Sequence, residues 1–144
     1  MHTTKEDYIS LVARFLLSLL FLYSGLGKLM APEATLNYID SAGIPFAVVA
    51  YIGAVFVELG LAAALVIGFR TTLAAAMMAV FTLITALVFH QHFAEKSQLT
   101  SFLKNIAICG GLLQVIVSGP GALSLDETFK KTTERRRATT RNGA

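Results

Sequence analysis

The sequence predicts an all-α integral membrane protein built as a bundle of four spanning helices. Two features of composition support this class: 55% of the 144 residues are hydrophobic and only 15% are charged, whereas soluble domains usually contain about 25% charged residues. A third is the grouping of apolar residues into four long stretches, each near the length of about 20 residues that a helix needs to cross a bilayer. Strands of alternating polarity are absent from the sequence, which argues against a membrane β-barrel.

The four spans are predicted from the extent of the apolar stretches. They cover residues 8–30, 46–68, 71–93 and 102–118. Gly68-Phe69-Arg70 leaves only a tight turn between the second and third spans, so these two helices should be antiparallel neighbours. In the loop after the first span, Leu36 and Ile39 are three residues apart, and we expect a short surface helix there.

The distribution of basic residues predicts which side of the membrane the termini occupy. Basic residues concentrate on the cytoplasmic side of membrane proteins, and in this chain half of the 12 Lys and Arg residues follow the last span, while Lys5 precedes the first and Arg70 lies between the second and third. With an even number of spans, both termini are then cytoplasmic, and the loops 31–45 and 94–101 face outward. We therefore divide the chain into a four-helix membrane domain, residues 8–127, and a basic cytoplasmic tail, residues 128–144.

The segment after the last span carries the signals of a further short helix. Gly119-Pro120-Gly121 ends the fourth span, because proline lacks the N–H that a continuing helix needs. Ser124 and Glu127 then form a capping-box pattern, which predicts a short cytoplasmic helix with its apolar residues toward the membrane. From about Thr132 the chain is rich in Thr and Arg, and we expect this part of the tail to be disordered.

Ionisable residues inside the apolar stretches are the strongest functional signal in the sequence. A charge in the bilayer is costly and usually marks a functional or structural contact within a bundle. Glu58 lies near the middle of the second span, and Arg14 is the cation closest to it in predicted depth. Two interpretations remain open: Glu58 is a catalytic, proton-handling or ligand-binding carboxylate, or it is structural, either in an ion pair with Arg14 or as a protonated carboxyl hydrogen-bonded to a neighbouring helix.

A second group of polar residues lies near the predicted outer ends of the spans. Its members come from the first, third and fourth spans, within about one helical turn of the boundary: Lys28, His90, Lys104 and Asn105. We predict that they form one ligand-binding cluster, in which His90 is also a candidate catalytic proton donor. The alternative is that the lysines extend to the outer headgroups and that His90 is an interfacial residue.

Several other kinds of site are disfavoured by the sequence. Cys109 is the only cysteine, so there is no internal disulfide and no dithiol redox centre. His90, His92 and Glu95 lie close together, but residues two apart on a helix point to opposite sides, and we expect no metal site. The net charge of +3 comes largely from the tail, and a basic segment beside a membrane is expected to meet anionic lipid headgroups rather than nucleic acid.

Short motifs in all four spans resemble those of a known family. In chain order they are RFLL (14–17), FLYSGLGKL (21–29), ELGL (58–61), GFR (68–70), FH (89–90), KN (104–105), GGLL (110–113) and GPGALSLD (119–126). Together they look like the DoxX family of small bacterial inner-membrane proteins, and the resemblance covers about residues 10 to 127. Each motif is short, whereas their order and spacing are specific.

The resemblance implies a four-helix fold in the bacterial inner membrane and a link to redox chemistry. The family takes its name from a quinone-reducing thiosulfate oxidoreductase with a similar membrane subunit, and some relatives are thought to be membrane partners in oxidative-stress complexes. The sequence itself has no paired haem-ligand histidines, flavin fingerprint or cysteine cluster, so we expect no covalently bound cofactor. Electron transfer would then depend on a quinone or on a partner subunit.

Three functions are compatible with these features. The first is a quinone- or lipid-binding membrane subunit of an oxidoreductase or oxidative-stress system, with the outer cluster as its binding site. The second is a non-enzymatic membrane scaffold or assembly factor that uses the basic tail. The third is a small transporter of protons or solutes. Four helices leave little room for a transport pathway, so this function would require a homo-oligomer. Membrane lipids are expected contacts in every case, and the sequence leaves open whether the protein is itself an enzyme.

Cysteine labelling of intact spheroplasts tests the predicted topology. In a Cys109→Ala background, a cysteine placed within residues 94–101 should react with a membrane-impermeant reagent added from outside, because that loop is predicted to face outward. A cysteine placed after Thr132 should not react until the membrane is opened. The opposite pattern would reverse the orientation and the depth assigned to each polar residue.

Overall fold

The computed structural model describes residues 4–91 and 93–142, and within them the chain forms helices and short turns with no strand. The elements in chain order are α1 (Lys5–Met30), α2 (Pro32–Ser41), α3 (Ala47–Ile67), α4 (Thr71–Phe89), α5 (Lys96–Ser118) and α6 (Leu125–Asn142). Four of them, α1, α3, α4 and α5, are long and apolar enough to cross a membrane. The predicted four-helix membrane fold is therefore confirmed, whereas the side on which the termini lie stays a prediction.

Two helix boundaries differ from the prediction by four residues or more. α5 begins at Lys96 rather than near residue 102, because polar residues such as Gln98 continue the helix beyond the apolar stretch. α4 ends at Phe89 rather than at residue 93. The short helix expected after the first span is present as α2, which has Pro32 in its first turn, where the N–H that proline lacks is not needed.

The core of the bundle is built from small and medium-sized apolar side chains. α4 contributes Ala75, Met78 and Ala79 to it and has its most extensive contact with α5. α1 packs mainly against α3. In that contact Gly25 permits a close approach, since a Cβ at this position would lie 2.7 Å from the Leu59 side chain. Small residues let membrane helices come this near to one another.

Large apolar side chains cover the outside of the bundle. Leu16, Leu20, Val80 and Leu113 are examples, each more than half exposed. In water such a surface would promote aggregation. In a bilayer it is the surface that faces the hydrocarbon chains, and membrane lipids are therefore contacts of this protein.

One end of the bundle, here called the terminal end, brings together the start of α1 and the end of α5. A carboxylate oxygen of Asp7 in α1 accepts a hydrogen bond from the backbone N–H of Ala122, 3.0 Å away, in the segment after α5. The turn between α3 and α4 lies at the same end, where the carbonyl of Gly68 accepts the N–H of Asp126 at 2.9 Å. The opposite end, where α2 lies, is called the loop end.

α6 is longer than the sequence predicts. Its cap is present, since Ser124 Oγ accepts the N–H of Glu127 at 3.2 Å. The helix then continues to Asn142, and the disorder predicted from about Thr132 is wrong for the described part of the tail, which excludes residues 143–144. Threonine hydroxyls here donate to carbonyls four residues earlier, as that of Thr132 does, and Glu127 pairs with Lys131 at 3.3 Å. The helix thus accommodates the polar side chains that suggested a loop.

The turn between α3 and α4 requires glycine for two separate reasons, and a matched pair of variants distinguishes them. Gly68 and Gly43 both have φ of 72°, so alanine at either position should cost about 1–2 kcal/mol of backbone strain. At Gly43 nothing lies within 4 Å of an added Cβ, whereas at Gly68 it would meet Arg14 Nη1 at 2.3 Å and Ser124 Cβ at 2.4 Å. Gly68→Ala should therefore lower the thermal unfolding midpoint in detergent clearly more than Gly43→Ala. Equal losses would mean that Arg14 and Ser124 move aside without cost.

Candidate functional site

Glu58 is positioned by an irregularity in α3. Residues Phe56–Leu61 form a π-helical segment within this helix, and such wide turns are frequent at functional sites. Glu58 lies in this segment with only 5% of its surface exposed. On the facing helix α1, Gly25 leaves room for it, because a Cβ there would lie 3.0 Å from the Glu58 Cβ. No pattern in the sequence predicts the π-helical segment.

Glu58 forms an ion pair with Lys28 of α1. Lys28 Nζ lies 2.8 Å from Oε2 and 2.9 Å from Oε1 of the carboxylate. Ser24, one turn earlier on α1, accepts a hydrogen bond from Lys28 Nζ at 2.9 Å and donates one to Glu58 Oε1 at 3.2 Å. Only 24% of the Lys28 side chain and 7% of the Glu58 side chain are exposed. Charges buried to this degree need a close partner, and each residue supplies it for the other.

The two oxygens of the Glu58 carboxylate differ in their hydrogen bonds. Oε1 accepts directed hydrogen bonds from Lys28 and Ser24. Oε2 faces the ammonium group, but among the described residues no donor is aligned to form a hydrogen bond with it. Oε2 is therefore held by the ion pair with Lys28 alone, at a distance of 2.8 Å from Nζ.

The ion pair lies in the wall of a cavity of about 690 Å³ between α1, α2, α3 and α4. Most of the lining is apolar and includes Ile39, Ala54, Val57, Phe81 and Val88. The polar side chains that reach the cavity are Lys28, Thr35, Tyr38, Glu58, Thr85 and His90. A mostly apolar cavity with a few polar groups is the usual form of a small-molecule site.

The helix α2 closes the cavity at the loop end. Ile39 of this helix is buried, with 5% of its surface exposed. The ring of Tyr38 stacks on Phe89 of α4 with the ring centroids 5.1 Å apart, a favourable aromatic separation. Beside the ion pair, the Tyr51 hydroxyl of α3 donates to the Lys28 carbonyl at 3.2 Å. These contacts fix the walls around the polar groups.

His90 follows the last residue of α4 and lines the cavity. Its Nδ1 lies 2.8 Å from the side-chain oxygen of Gln98. Because an amide oxygen can only accept, Nδ1 carries a proton in this arrangement. Nε2 is then the nitrogen that can exchange a proton or form a hydrogen bond with a ligand.

Sequence reasoning missed several residues of this site. Ser24 was detectable, because it lies four residues before Lys28 and therefore on the same face of α1. Tyr38, Tyr51 and Gln98 carried no such signal. Their roles depend on how α2, α3 and α5 meet the other helices, which no local pattern reports.

The predicted outer cluster is assembled only in part. Lys28 and His90 line the same cavity, but Lys104 and Asn105 are not among its lining residues. Lys104 is exposed, whereas Cys109 of the same helix is buried in the core. The prediction that Lys104 and Asn105 share a pocket with Lys28 and His90 is therefore wrong, and Glu58 joins the cluster instead.

Arg14 is not the partner of Glu58, and the predicted ion pair between them is wrong. Arg14 is 1% exposed and lies about 20 Å along α1 from the level of the cavity ion pair, at about 1.5 Å per residue. Its Nη1 donates to the carbonyls of Leu65 at 3.2 Å and Val66 at 3.4 Å, and its Nη2 donates to that of Leu123 at 2.6 Å. Carbonyls at the end of a helix carry the negative end of its dipole, which suits a guanidinium group.

Asp126 completes this group of contacts at the terminal end. Its carboxylate accepts hydrogen bonds from the N–H of Arg70 at 2.7 Å, the N–H of Thr71 at 2.8 Å and the Thr71 hydroxyl at 2.9 Å, so it caps α4 from a distant part of the chain. Burial raises the pKa of Asp126, but these hydrogen bonds and the Arg14 charge more than offset burial and leave the pKa below its usual value. The carboxylate is therefore ionised at neutral pH, and the role of these contacts is to hold the helices together.

Within residues 4–91 and 93–142, no group of His, Cys, Asp and Glu side chains is arranged to hold a metal ion. His92, which the sequence places near His90 and Glu95, lies outside the described residues. Cys109 of α5 is buried in the core of the bundle, where it packs as a small apolar side chain.

Comparisons with known proteins agree with the resemblance seen in the motifs. The DoxX family model matches residues 9–91, which include all the helices that line the cavity. The chain is 38% identical over 126 residues to the inner membrane protein YqjF of Escherichia coli (strain K12), with 88% of this chain and 95% of the relative covered. It is 36% identical over 121 residues to the inner membrane protein YphA of the same organism, with 81% and 86% covered. No solved structure matches the chain.

A double-mutant cycle tests whether Lys28 and Glu58 stabilise the fold as a pair. Lys28→Met and Glu58→Gln each leave one buried charge without its partner, and each should lower the free energy of unfolding by about 3 kcal/mol. The double variant should lose less than the sum of the two, because neither charge then remains. Unfolding in mixed micelles provides the three values.

Arg14→Gln combined with Glu58→Gln is the control for this cycle. Its two losses should add, because the side chains lie at different ends of the bundle and share no partner. Coupling between Arg14 and Glu58, together with additive losses for Lys28 and Glu58, would contradict the observed pairing.

Proposed function

Because the chain belongs to the DoxX family and is a multi-pass inner-membrane protein, we propose that it binds a quinone or a similar small lipid beside the Lys28–Glu58 ion pair. In this role it is the membrane subunit of an oxidoreductase system whose redox centre belongs to a partner subunit. The observation that carries the proposal is the buried ion pair in the wall of an apolar cavity of about 690 Å³.

The polar groups of the cavity suit the head of a quinone. A quinone carbonyl accepts hydrogen bonds; the Lys28 ammonium group can donate one, and Nε2 of His90 can donate a second when the imidazole is protonated. Both side chains line the cavity together with Glu58. Binding would compete with Glu58 for the protons of Lys28, and Ser24, which already bridges Lys28 and Glu58, would keep the carboxylate hydrogen-bonded.

The apolar part of the cavity suits the ring and the tail of such a ligand. Its lining includes Val57, Phe81, Ile84 and Val88, which contribute no hydrogen-bonding groups. The cavity lies among spanning helices, so a lipophilic molecule can reach it from the bilayer. Placing an apolar tail in this space removes no buried polar group from its partner, which keeps the cost of binding low.

Proton transfer gives Glu58 and His90 their proposed catalytic roles. Reduction of a quinone to a quinol takes up electrons and protons in equal number. In this proposal the electrons come from the partner subunit, and Glu58 and His90 deliver the protons to the oxygens of the ligand. A buried carboxylate beside an ammonium group and an imidazole with one free nitrogen are suitable donors once they are protonated.

A non-enzymatic scaffold is the second candidate function. The observation in its favour is α6, whose residues from Thr128 to Thr140 are all exposed. A partner protein could dock on this helix without any ligand in the cavity. The two functions make different demands on the molecule, because only the first requires the cavity to be open.

Filling the cavity tests the proposed function directly. Gly53 lines the cavity and has nothing within 4 Å of an added Cβ, so Gly53→Leu should fill the space without a clash at the backbone. Gly27 also has open space around its Cβ but lies outside the cavity lining, and Gly27→Leu is the matched control. Binding of a short-tailed ubiquinone analogue to protein in nanodiscs should be lost in the first variant and retained in the second.

A second pair of variants tests the polar groups of the site. His90→Ala should weaken binding of the same analogue by about tenfold or more, the usual effect of losing one hydrogen bond in a binding site. Lys104→Met should leave it unchanged, because Lys104 is exposed and outside the cavity. Binding that survives both Gly53→Leu and His90→Ala would exclude this cavity as the site, and a protein that co-purifies without a quinone would favour the scaffold.

A further inference from the structure

We propose that α6 is an interfacial helix that binds the anionic lipid headgroups of the leaflet at the terminal end of the bundle. This surface is separate from the cavity and does not depend on the function proposed for it. Three observations support the proposal: the place where α6 begins, the apolar character of one of its faces, and the excess of basic side chains around that face.

The start of α6 is fixed at the level where a spanning helix begins. The Asp126 carboxylate in the first turn of α6 accepts the N–H groups of Arg70 and Thr71 at 2.7 and 2.8 Å, and Thr71 is the first residue of α4. Further along α6, Lys131 lies within electrostatic reach of Asp7 near the start of α1. The first turns of α6 therefore stay close to the ends of the spanning helices, at the membrane boundary.

One face of α6 is apolar. At about 100° per residue, Phe129 lies about 40° from Leu125 and about 20° from Thr140, and the exposed fractions of Phe129 and Leu125 are 57% and 38%. Threonines extend this face, and their hydroxyls donate to carbonyls of the same helix, so that the methyl groups are the parts left to face outward. On this side of the helix the threonines with this bond are Thr132, Thr133, Thr139 and Thr140.

Basic side chains surround the apolar face. The exposed ones are Lys130, Lys131, Arg135, Arg136 and Arg137. Two of the acidic residues of α6 already have partners, since Asp126 caps α4 and Glu127 pairs with Lys131 at 3.3 Å. Arg136 falls within the apolar arc, and its long side chain can extend from there to the headgroups. Basic residues close to a membrane surface are attracted to anionic lipids.

The combination favours a lipid surface over other anionic partners. Nucleic acid would be attracted by the same charges, but it does not need an apolar face or a helix that begins at the membrane boundary. An amphipathic helix with Lys and Arg around Phe and Leu is typical of helices that lie in the interface. The anionic surface nearest to α6 is the leaflet in which the bundle itself is embedded.

Depth measurements on the full-length protein in nanodiscs test the proposal. In a Cys109→Ala background, a fluorophore at Thr140→Cys reports on the face that carries Phe129. One at Ala138→Cys reports on the opposite face, about 180° from Phe129. With phosphatidylglycerol in the bilayer, the label at position 140 should be quenched by lipid-borne quenchers and shielded from water-soluble ones. The label at position 138 should remain accessible to water-soluble quenchers. In phosphatidylcholine alone, both labels should be accessible from water.

Charge variants test whether the basic side chains of α6 attract this helix to anionic lipids. Substituting Arg135, Arg136 and Arg137 by Gln removes three exposed basic groups and should lower the ratio of docked to free helix by about a hundredfold. Glu134→Gln is the matched control and should leave docking as strong or stronger. Equal shielding in both lipid compositions, or docking that survives loss of the three arginines, would overturn the proposal. So would a helix that is shielded only when RNA or a soluble protein is added.

Discussion

The fold depends on how one buried charge, the guanidinium group of Arg14, is satisfied. The bilayer core offers no water to solvate it, so its partners must come from the protein. They are carbonyls of Leu65 and Val66 at the end of α3 and of Leu123 after α5. One side chain of α1 thus fixes two distant segments of the chain at the terminal end. The turn at Gly68 follows from this, because a side chain there would occupy the space of the guanidinium group.

The contacts of Arg14 hold the helices together at the terminal end, whereas the candidate site lies nearer the loop end. There α1 contributes a second cation, Lys28, which pairs with Glu58 from the π-helical segment of α3. The two cations of α1 therefore have different roles although both are held within the bundle. Arg14 is buried and bonded to backbone carbonyls, whereas Lys28 lies at a cavity, where the proposed ligand would compete for its hydrogen bonds.

The sequence predicts well what local rules decide. The spans follow from the length of apolar stretches, and α2 was predicted from the spacing of Leu36 and Ile39 and has Pro32 in its first turn. Half of the candidate site was also predicted, since Lys28 and His90 do share a cavity. The partner of Glu58 was predicted wrongly because its depth was misjudged. Arg14 and Lys28 lie on the same face of α1, about 40° apart, but Glu58 meets α1 at the level of Lys28, and the apolar stretch of α3 does not specify that level.

Lys104 shows a second limit of the sequence. A residue near the end of a span can be assigned a depth, but its direction depends on the rotation of its helix, and that rotation is set by which face packs in the core. In α5 the residues buried toward the core are Cys109, Leu112 and Val115, whereas Lys104 is exposed and is not among the residues that line the cavity. The extension of α6 to Asn142 is a comparable case, because the composition of its second half, rich in Thr and Arg, is compatible with either a helix or a loop.

The amino-acid sequence by itself determined that this protein is embedded in a lipid bilayer and how many spans it has. It also determined which polar residues lie in those spans and therefore need partners within the protein. These follow from composition and from the length of apolar segments, which are properties of a chain in isolation. Only the tertiary structure decided which of those polar residues meet. Arg14 reaches carbonyls, Lys28 reaches Glu58, and Asp126 caps a helix far from it in the chain. The physical reason is that a buried charge can be satisfied by several partners of similar energy, and the packing of whole helix faces selects among them.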